Sequence, residues 1–515
     1  MGDGVRPLAD GAPLPNTDWR SQGPAFGFVV VAGLVVTLWL SQMRWPAPTM
    51  EEGFMLDLPL RVLHGAVPER SFYYFYGPVS LWIPAAAYWV FGASLLIERA
   101  VGAFYLSIFG WSLYAIGRRW STSLGLVMAI GAVLVEQFSS VGLITALPEI
   151  GAIGFGLLGV AIGSSKREGL HYDLATGVSL AVAADLRPDY VIWGAVLVGV
   201  ILALRMRGYL TAVAYLAGLV PYLILITTAG FGNVWRGIVV ASARLPAERR
   251  LPLTSIGLTG LAVVVLLIGL VVVGAGGLRR RRTRLMETVV LLVVVCLVTV
   301  PEVAQRADGY HLASLGGAAT GAAPLAVYLL ATEVPRTLIR SALGAVISVL
   351  VLAAVAHAEY LFSAHKYLDQ LSGRPVSYAV HNHGRTWYYA NPITAARVRE
   401  VVAVADRLGT GAGPIFVGTR DLSQTPYVDD SIYFLLPQFS EQSHFYDFHP
   451  GIALYDGRQL AADVGAARTL VLVKETLPGP KLAEAHGSQL ANKEVAADFS
   501  LLTKGDGYYV YERRP

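Results

Sequence analysis

The chain has 515 residues, of which 54% are hydrophobic and 15% charged, and a formal net charge of +4. Soluble domains carry about a quarter charged residues. A mean hydropathy of +0.53 is more apolar sequence than one soluble core can use, so the composition points to a polytopic membrane protein with the lipid bilayer as partner and no nucleic acid.

Residues 1–25 are polar and rich in Pro and Gly, and form a cytoplasmic tail rather than a cleavable signal, because the apolar run that follows is too long and lacks a small-residue cleavage site. Apolar runs predict spans near 26–43, 98–116, 123–140, 150–165, 171–186, 190–204, 209–229, 254–276, 285–303, 313–331 and 339–356. A span needs about 20 residues to cross the hydrocarbon. Pro78–Gly92 is also apolar, but Pro84 interrupts it and aromatics crowd it, so it reads as an interfacial helix. Cys296, the one cysteine, lies inside an apolar run, which excludes disulfides and cysteine metal sites.

Charge placement orients the spans. With the N-terminus inside, the cytoplasmic loops hold Arg118-Arg119, Lys166-Arg167, Arg205 with Arg207, Arg279 to Arg282 with Arg284, and Arg336 with Arg340. The short opposite loops after the fifth and ninth spans hold one basic residue each, Arg187 and Arg306. Two outer loops are long: 44–97, and 230–253 with Arg236, Arg244, Arg249 and Arg250. Residues 26–356 thus form a transmembrane module of eleven spans.

From about His357 the apolar runs shorten and polar residues rise. Thr394–Arg407 has helical spacing, and Pro414–Gly418, Ser431–Leu436, Thr469–Lys474 and Gly507–Glu512 read as strands. Residues 357–515 are expected to be an extracytoplasmic α/β domain. Richness in Ala, Gly, Val and Arg suggests a bacterium, hence an inner (plasma) membrane.

Ionisable residues near membrane depth are costly, and here they gather on the outer side. Glu51 and Glu52 follow the first span, in Pro48-Thr49-Met50-Glu51-Glu52-Gly53. Glu136 ends the third span and Glu149 follows in the next outer loop. Asp185, Arg187 and Asp189 turn between spans five and six, and Glu302, Arg306, Asp308 and His311 follow span nine. Two adjacent carboxylates repel each other, and one reason to place them at a membrane surface is proton abstraction from a bound acceptor. The bland alternatives are a solvated loop for Glu51-Glu52, helix-capping acids at Glu149 and Asp189, and a structural Arg306–Asp308 pair. Outer-loop arginines suit bidentate phosphate contacts.

The first outer loop contains Glu51-Glu52-Gly53, Leu63-His64-Gly65-Ala66-Val67-Pro68, Phe75-Tyr76-Gly77-Pro78, Phe91-Gly92-Ala93-Ser94 and Arg99. In this pattern the chain resembles the GT-C glycosyltransferases, nearest the branch of protein O-mannosyltransferases and lipid A aminoarabinose transferases. The Arg-Ala-Asp-Gly-Tyr-His-Leu segment at 306–312 is similar to a motif of bacterial members. The first acidic position is usually Asp in that family and is Glu51 here. The resemblance implies a GT-C-like helical membrane fold and sugar transfer from a polyprenyl-phosphate-linked donor to a glycan, lipid or protein acceptor at the outer face.

It further implies catalytic roles for Glu51, Glu52 and Glu149, with either member of the pair as base. Arg187, Arg236 and Arg244 would hold the donor phosphate, and His64, Tyr76, Arg99, Arg306, Asp308 and His311 would line the acceptor or donor pocket. Members of the branch resemble metal-independent enzymes, with a divalent cation on Glu51, Glu52 and Glu149 as the other possibility. Competing readings are an O-antigen ligase or polymerase, a transporter or flippase of lipid-linked sugars, and a non-catalytic scaffold.

Overall fold

The computed structural model describes residues 25–137, 143–244, 257–280, 283–305, 309–333, 358–409, 413–423, 428–441, 443–446, 457–473 and 487–515. The helical part runs α1 Ala25–Gln42, α2 Glu51–Leu63, α3 Val79–Phe91, α4 Leu95–Gly117, α5 Thr122–Gln137, α6 Pro148–Gly163, α7 Leu170–Leu186, α8 Asp189–Ala203, α9 Leu210–Gly218, α10 Val220–Ala229 and α11 Phe231–Val234. A π-helical stretch, Trp235–Ala241, follows, then α12 Gly257–Arg280, α13 Arg284–Gln305, α14 Gly309–Glu333 and α15 Ala358–Leu371. Helices therefore occupy ten of the eleven stretches expected to span, and the eleventh, 339–356, lies outside the described residues. By length and composition, four helices among the described residues are long and apolar enough to cross a membrane: Ala25–Gln42, Leu95–Gly117, Leu210–Ala229 and Arg284–Pro301. Six further apolar stretches of helix are shorter.

The bundle packs closely because small residues sit where backbones meet. A Cβ on Gly177 of α7 would lie 2.3 Å from Thr211 O of α9, and one on Gly102 of α4 would lie 2.3 Å from Thr145 O. Without water to drive apolar helices together in lipid, such van der Waals approach is the main source of helix association. Helix α6 packs against α4 and α7, and α14 against α5 and α13.

The segment 44–97, expected to be an outer loop, is about half helical, and α3 bears out the helix read at 78–92. Helix α2, by contrast, was not anticipated. It begins with Glu51 and Glu52, whose negative charge suits a helix N-terminus.

The C-terminal part contains a hairpin of β1 Tyr378–Asn382 and β2 Arg385–Tyr389, turning through His383 and Gly384 at φ 43° and 76°. Both residues sit in the left-handed region that a type I′ turn needs. Helix α16 Pro392–Leu408 follows, capped by Asn391, whose side chain accepts from Thr394 N. Then come β3 Ile415–Thr419, α17 Ser431–Leu435, α18 Arg458–Ala466, β4 Thr469–Val473, α19 Leu490–Asp498, β5 Phe499–Gly505 and β6 Tyr508–Arg513. The sheet order is β3-β4-β6-β5, with β3 and β4 parallel and the other pairs antiparallel. The expected strand at Ser431–Leu436 is instead the short helix α17. Every residue in it is buried, so its continuous apolar run carries no period that distinguishes strand from helix.

The C-terminal part sits directly on the loop 44–97. Ala47 N donates to Tyr388 O at 2.9 Å, Tyr73 N to His444 O at 2.7 Å, and Trp45 Nε1 to Gln370 Oε1 at 2.9 Å. Gly53 of α2 faces Asp430 so closely that a Cβ there would lie 2.7 Å from Asp430 Cβ and 3.0 Å from Ser431 N. Gly53→Ala should therefore push α17 away from α2, at the roughly 1–3 kcal/mol typical of overpacking. Faster hydrogen exchange in residues 51–63 of the variant would reveal it, and unchanged exchange would show that the contact yields freely.

Candidate functional site

The polar groups converge at the end of the bundle where α1 stops and α2 begins. Arg99, in the first turns of α4, is the centre of this region and has no exposed surface. Its Nε donates to Glu52 Oε1 at 2.8 Å and its Nη2 to Glu52 Oε2 at 2.9 Å, a bidentate pair in which both side chains are 0% exposed. Arg99 also donates to the carbonyls of Gln42 and Trp45. One guanidinium thus ties the end of α1, the α1–α2 turn and the first turn of α2 to α4. The fork of guanidinium donors matches a carboxylate's two oxygens, which a lysine could not do.

Glu98, beside Arg99, is also fully buried. Its Oε1 accepts from Ala146 N at 2.6 Å, which brings the segment before α6 to the same place, and its carboxyl lies against that of Glu52. Gln42 closes the cluster: Nε2 donates to Gln137 Oε1 at 3.2 Å and to Tyr367 Oη at 3.0 Å, while Oε1 accepts from Ile144 N at 2.7 Å. Neither Gln42 nor Glu98 was singled out from the sequence. The available signals were a glutamine at the end of a span and an acid four residues after Ser94, the cap of α4.

Glu51 and Glu52 are equals in the sequence but not in the fold. Glu52 is committed to Arg99, whereas Glu51 keeps part of its surface exposed. Arg99 also offsets the charge of Glu52, which removes the repulsion that adjacent carboxylates imply. Glu149, in the first turn of α6, is 9% exposed and stands 3.9 Å from Arg187 Nη1. Arg187 donates to both oxygens of Asp189, at 3.1 and 3.2 Å. These three residues form a second ionic group, at the α7–α8 turn.

Gly77, next to Tyr76, reaches that turn. Gly77 N donates to Leu186 O at 3.0 Å, and a Cβ on Gly77 would lie 2.1 Å from Asp185 O. Glycine here lets the Tyr76-Gly77-Pro78 step lie on the end of α7. Tyr76 packs its ring 4.2 Å from Phe75 and 5.5 Å from Tyr74, centroid to centroid. His64 is not brought in: it follows α2 at the far end from Glu51, about 20 Å away at 1.5 Å rise per residue.

Arg236 and Arg244 are exposed on the stretch after α10. Arg236 Nη2 donates to Asn233 Oδ1 at 2.8 Å. The end of α10 rests on the loop 67–74, where Arg70 Nη1 donates to Thr228 O at 3.2 Å, and Gly237 of the stretch beyond meets Glu69. Glu69 lies beneath it, at φ 65°, and a Cβ on Gly237 would lie 1.7 Å from Glu69 Oε2. Burial pushes the Glu69 carboxyl well above the usual range. Glu69 is a further buried acid of this region that the sequence did not reveal.

Arg306 and Asp308 lie outside the described residues. His311 is placed only by its backbone, near the start of α14. That helix runs antiparallel to α5, with Gly317 against Glu136 and Gly321 against Ala132. Its start therefore lies toward the Gln42–Gln137 end. Among the described residues, no three of His, Cys, Asp and Glu are grouped as a metal ion requires.

No family model matches the chain, and no curated protein matches it. Its fold is similar to that of ArnT from Cupriavidus metallidurans bound to undecaprenyl phosphate, with a TM-score of 0.56 and 14% identity over 95% of this chain and 98% of that one. The apo state of the same protein gives 0.52 over the same shares. At this identity the likeness is one of fold, and the chain shares the overall fold of that protein from end to end.

Arg99→Ala would strand the buried Glu52 carboxylate and should destabilise the protein by about 3–5 kcal/mol. Pairing it as Arg99→Met with Glu52→Gln should recover much of that loss, because no buried charge is then left alone. Thermal unfolding in detergent distinguishes these, and a single variant within about 1 kcal/mol of wild type would contradict the anchoring role.

Proposed function

We propose that this chain is a membrane glycosyltransferase that moves a sugar from a polyprenyl-phosphate-linked donor to an acceptor hydroxyl. The observation that carries the reading is the end-to-end likeness to a protein solved with undecaprenyl phosphate. In this reading the chain sits in a bacterial inner membrane with eleven crossings, and the C-terminal part and the Arg99 cluster lie on the outer side. The distribution of arginines in the sequence supports that orientation.

Glu51 is the base. Its partial exposure, beside the wholly buried and ion-paired Glu52, favours it over its neighbour. Glu51 takes the proton of the acceptor hydroxyl as that oxygen bonds to the anomeric carbon. The bond from that carbon to the phosphate oxygen breaks, and the polyprenyl phosphate leaves with the electron pair. Charge growing on the leaving phosphate needs cations aimed at it. Arg236 and Arg244, exposed where a lipid-borne phosphate would arrive, supply them. Arg187 is held by Asp189 and Glu149, and it serves the same pocket with its charge already offset. Arg99 and Glu52 act by fixing the first turn of α2, and so the position of Glu51.

Glu51→Gln, assayed in liposomes with polyprenyl-phosphate sugars, should lose at least about a hundredfold in rate, the usual contribution of a general base. Arg236→Ala and Arg244→Ala should raise the donor KM. Full activity in Glu51→Gln would remove the base assignment, and unchanged donor dependence in both arginine variants would remove the clamp.

A further inference from the structure

Helix α2 presents one stripe to the C-terminal part of the chain. Gly53, Asp57 and Arg61 recur at four-residue spacing, so they lie on one face. Gly53 meets Asp430, and Asp57 and Arg61 meet a second cluster. Tyr446 Oη lies 2.5 Å from Asp57 Oδ2 and 2.5 Å from Glu441 Oε2. Arg61 Nη1 donates to Tyr446 Oη at 2.8 Å and to Ser443 O at 2.8 Å, and Nη2 donates to Ser71 O at 3.2 Å. Tyr446 and Asp57 are buried, at 4% and 2% exposure.

Counting hydrogens shows that the two carboxyls of this cluster share a proton beyond that of the phenol. A phenol has one O–H and two acceptor lone pairs, so Tyr446 can donate to one carboxylate only. Arg61 Nη1 stands 3.6 Å from Glu441 Oε2, but both its hydrogens are already engaged. Two carboxylates around one phenolic hydrogen would leave one of them repelled at 2.5 Å. All contacts are satisfied if Tyr446 donates to one carboxylate and the other carboxyl brings a proton of its own, and burial beside Asp57 favours Glu441 as its carrier.

We propose that Glu441 is a positioning residue that carries a proton: as a neutral acid it holds the C-terminal part on α2, and its ionisation loosens the helix that presents Glu51. The functional half of this statement rests on the role of Glu51 proposed above. The charged and titratable groups facing Glu441 among the described residues are Asp57 and Arg61 from α2, Arg385 from β2, Tyr433 from α17, and Tyr446 from its own segment. Burial first, and then Asp57, push the Glu441 carboxyl well above its ordinary range, with Arg61 and Tyr446 opposing. His444, also in the segment, is pushed down to about 4 by burial and by Arg61, so it adds no charge near neutrality.

The sign of the effect follows by linkage. A carboxyl whose proton is held more tightly docked than undocked favours docking at low pH. That advantage is lost as pH climbs from the carboxyl's ordinary range through its raised one.

The test is hydrogen exchange of the α2 amides in the full-length protein in detergent, across about pH 5 to 9, corrected for intrinsic rates. In wild type the opening equilibrium of α2 should rise with pH, by up to about tenfold per unit for one proton. Glu441→Gln, whose amide can donate to Tyr446 without titrating, should keep α2 protected with a flat profile. Tyr446→Phe should lower protection at every pH. A flat wild-type profile would overturn the proposal without any variant, and a Glu441→Gln profile that follows wild type would overturn it as well. Sugar transfer measured in parallel separates the two ideas. Exchange as expected with no transfer from any polyprenyl-phosphate sugar supports the clamp and overturns the transferase reading.

Discussion

The arrangement at the head of the bundle depends on a single ion pair buried from both sides. Removing two charges from water costs several kcal/mol for each ion. Arg99 and Glu52 offset this only because the fork geometry is met and the remaining donors of Arg99 reach the carbonyls of Gln42 and Trp45. Such a pair fails if either partner is lost, so it acts as a registration point. It fixes where α1 ends, how the chain turns through Trp45, and how α2 starts. Helical geometry then turns Glu51 about 100° round from Glu52. The exposure of one glutamate is thus a consequence of the burial of the other.

Helix α2 is held on a second side by the C-terminal part. The contacts of Gly53, Asp57 and Arg61 lie on one stripe, while Glu52 turns toward α4. The helix therefore lies between the membrane bundle and the sheet-bearing part, with polar contacts on each flank. Apolar contacts alone would tolerate sliding along or around the helix axis. A bidentate pair on one side and a phenol shared by two carboxyls on the other tolerate neither, and that is a use for buried polar groups that net stability alone would not explain.

Much of this was legible in the sequence. Apolar runs located the helices of the bundle, and the Glu51-Glu52 pair and Arg99 marked the region that the fold makes central. What was not legible depends on contacts between distant residues. Asp57 and Tyr446 are separated by 389 positions, and Arg99 and Glu52 by 47. Taking 44–97 as mostly loop hid the fact that adjacent glutamates on a helix face different ways. Ser431–Leu436 was misread because burial on all sides erases periodicity. Glu69 and Glu98 stood unremarked because their interest lies in what covers them, which composition does not record.

The two ends of the bundle show why the kind of charge pairing matters more than the amount of charge. At the end opposite the Arg99 cluster, Arg119 donates to Ala161 O and Ser164 Oγ, and Arg207 donates to Ile162 O, Arg167 O and Ser165 Oγ. These acceptors belong to the last turn of α6 and the chain just beyond it. Cations there satisfy the carbonyls that every helix leaves open at its C-terminus and lie favourably on its dipole. Structure and topology account for them without any ligand. At the Arg99 end the charged groups bind across elements instead: α2 pairs with α4, α6 pairs with the α7–α8 turn, and Arg61 of α2 donates to Tyr446 and Ser443 of the C-terminal part. Helix capping requires none of those pairings. Convergence of acids and arginines from separate elements is what distinguishes this end, and it is why the proposed chemistry is placed here.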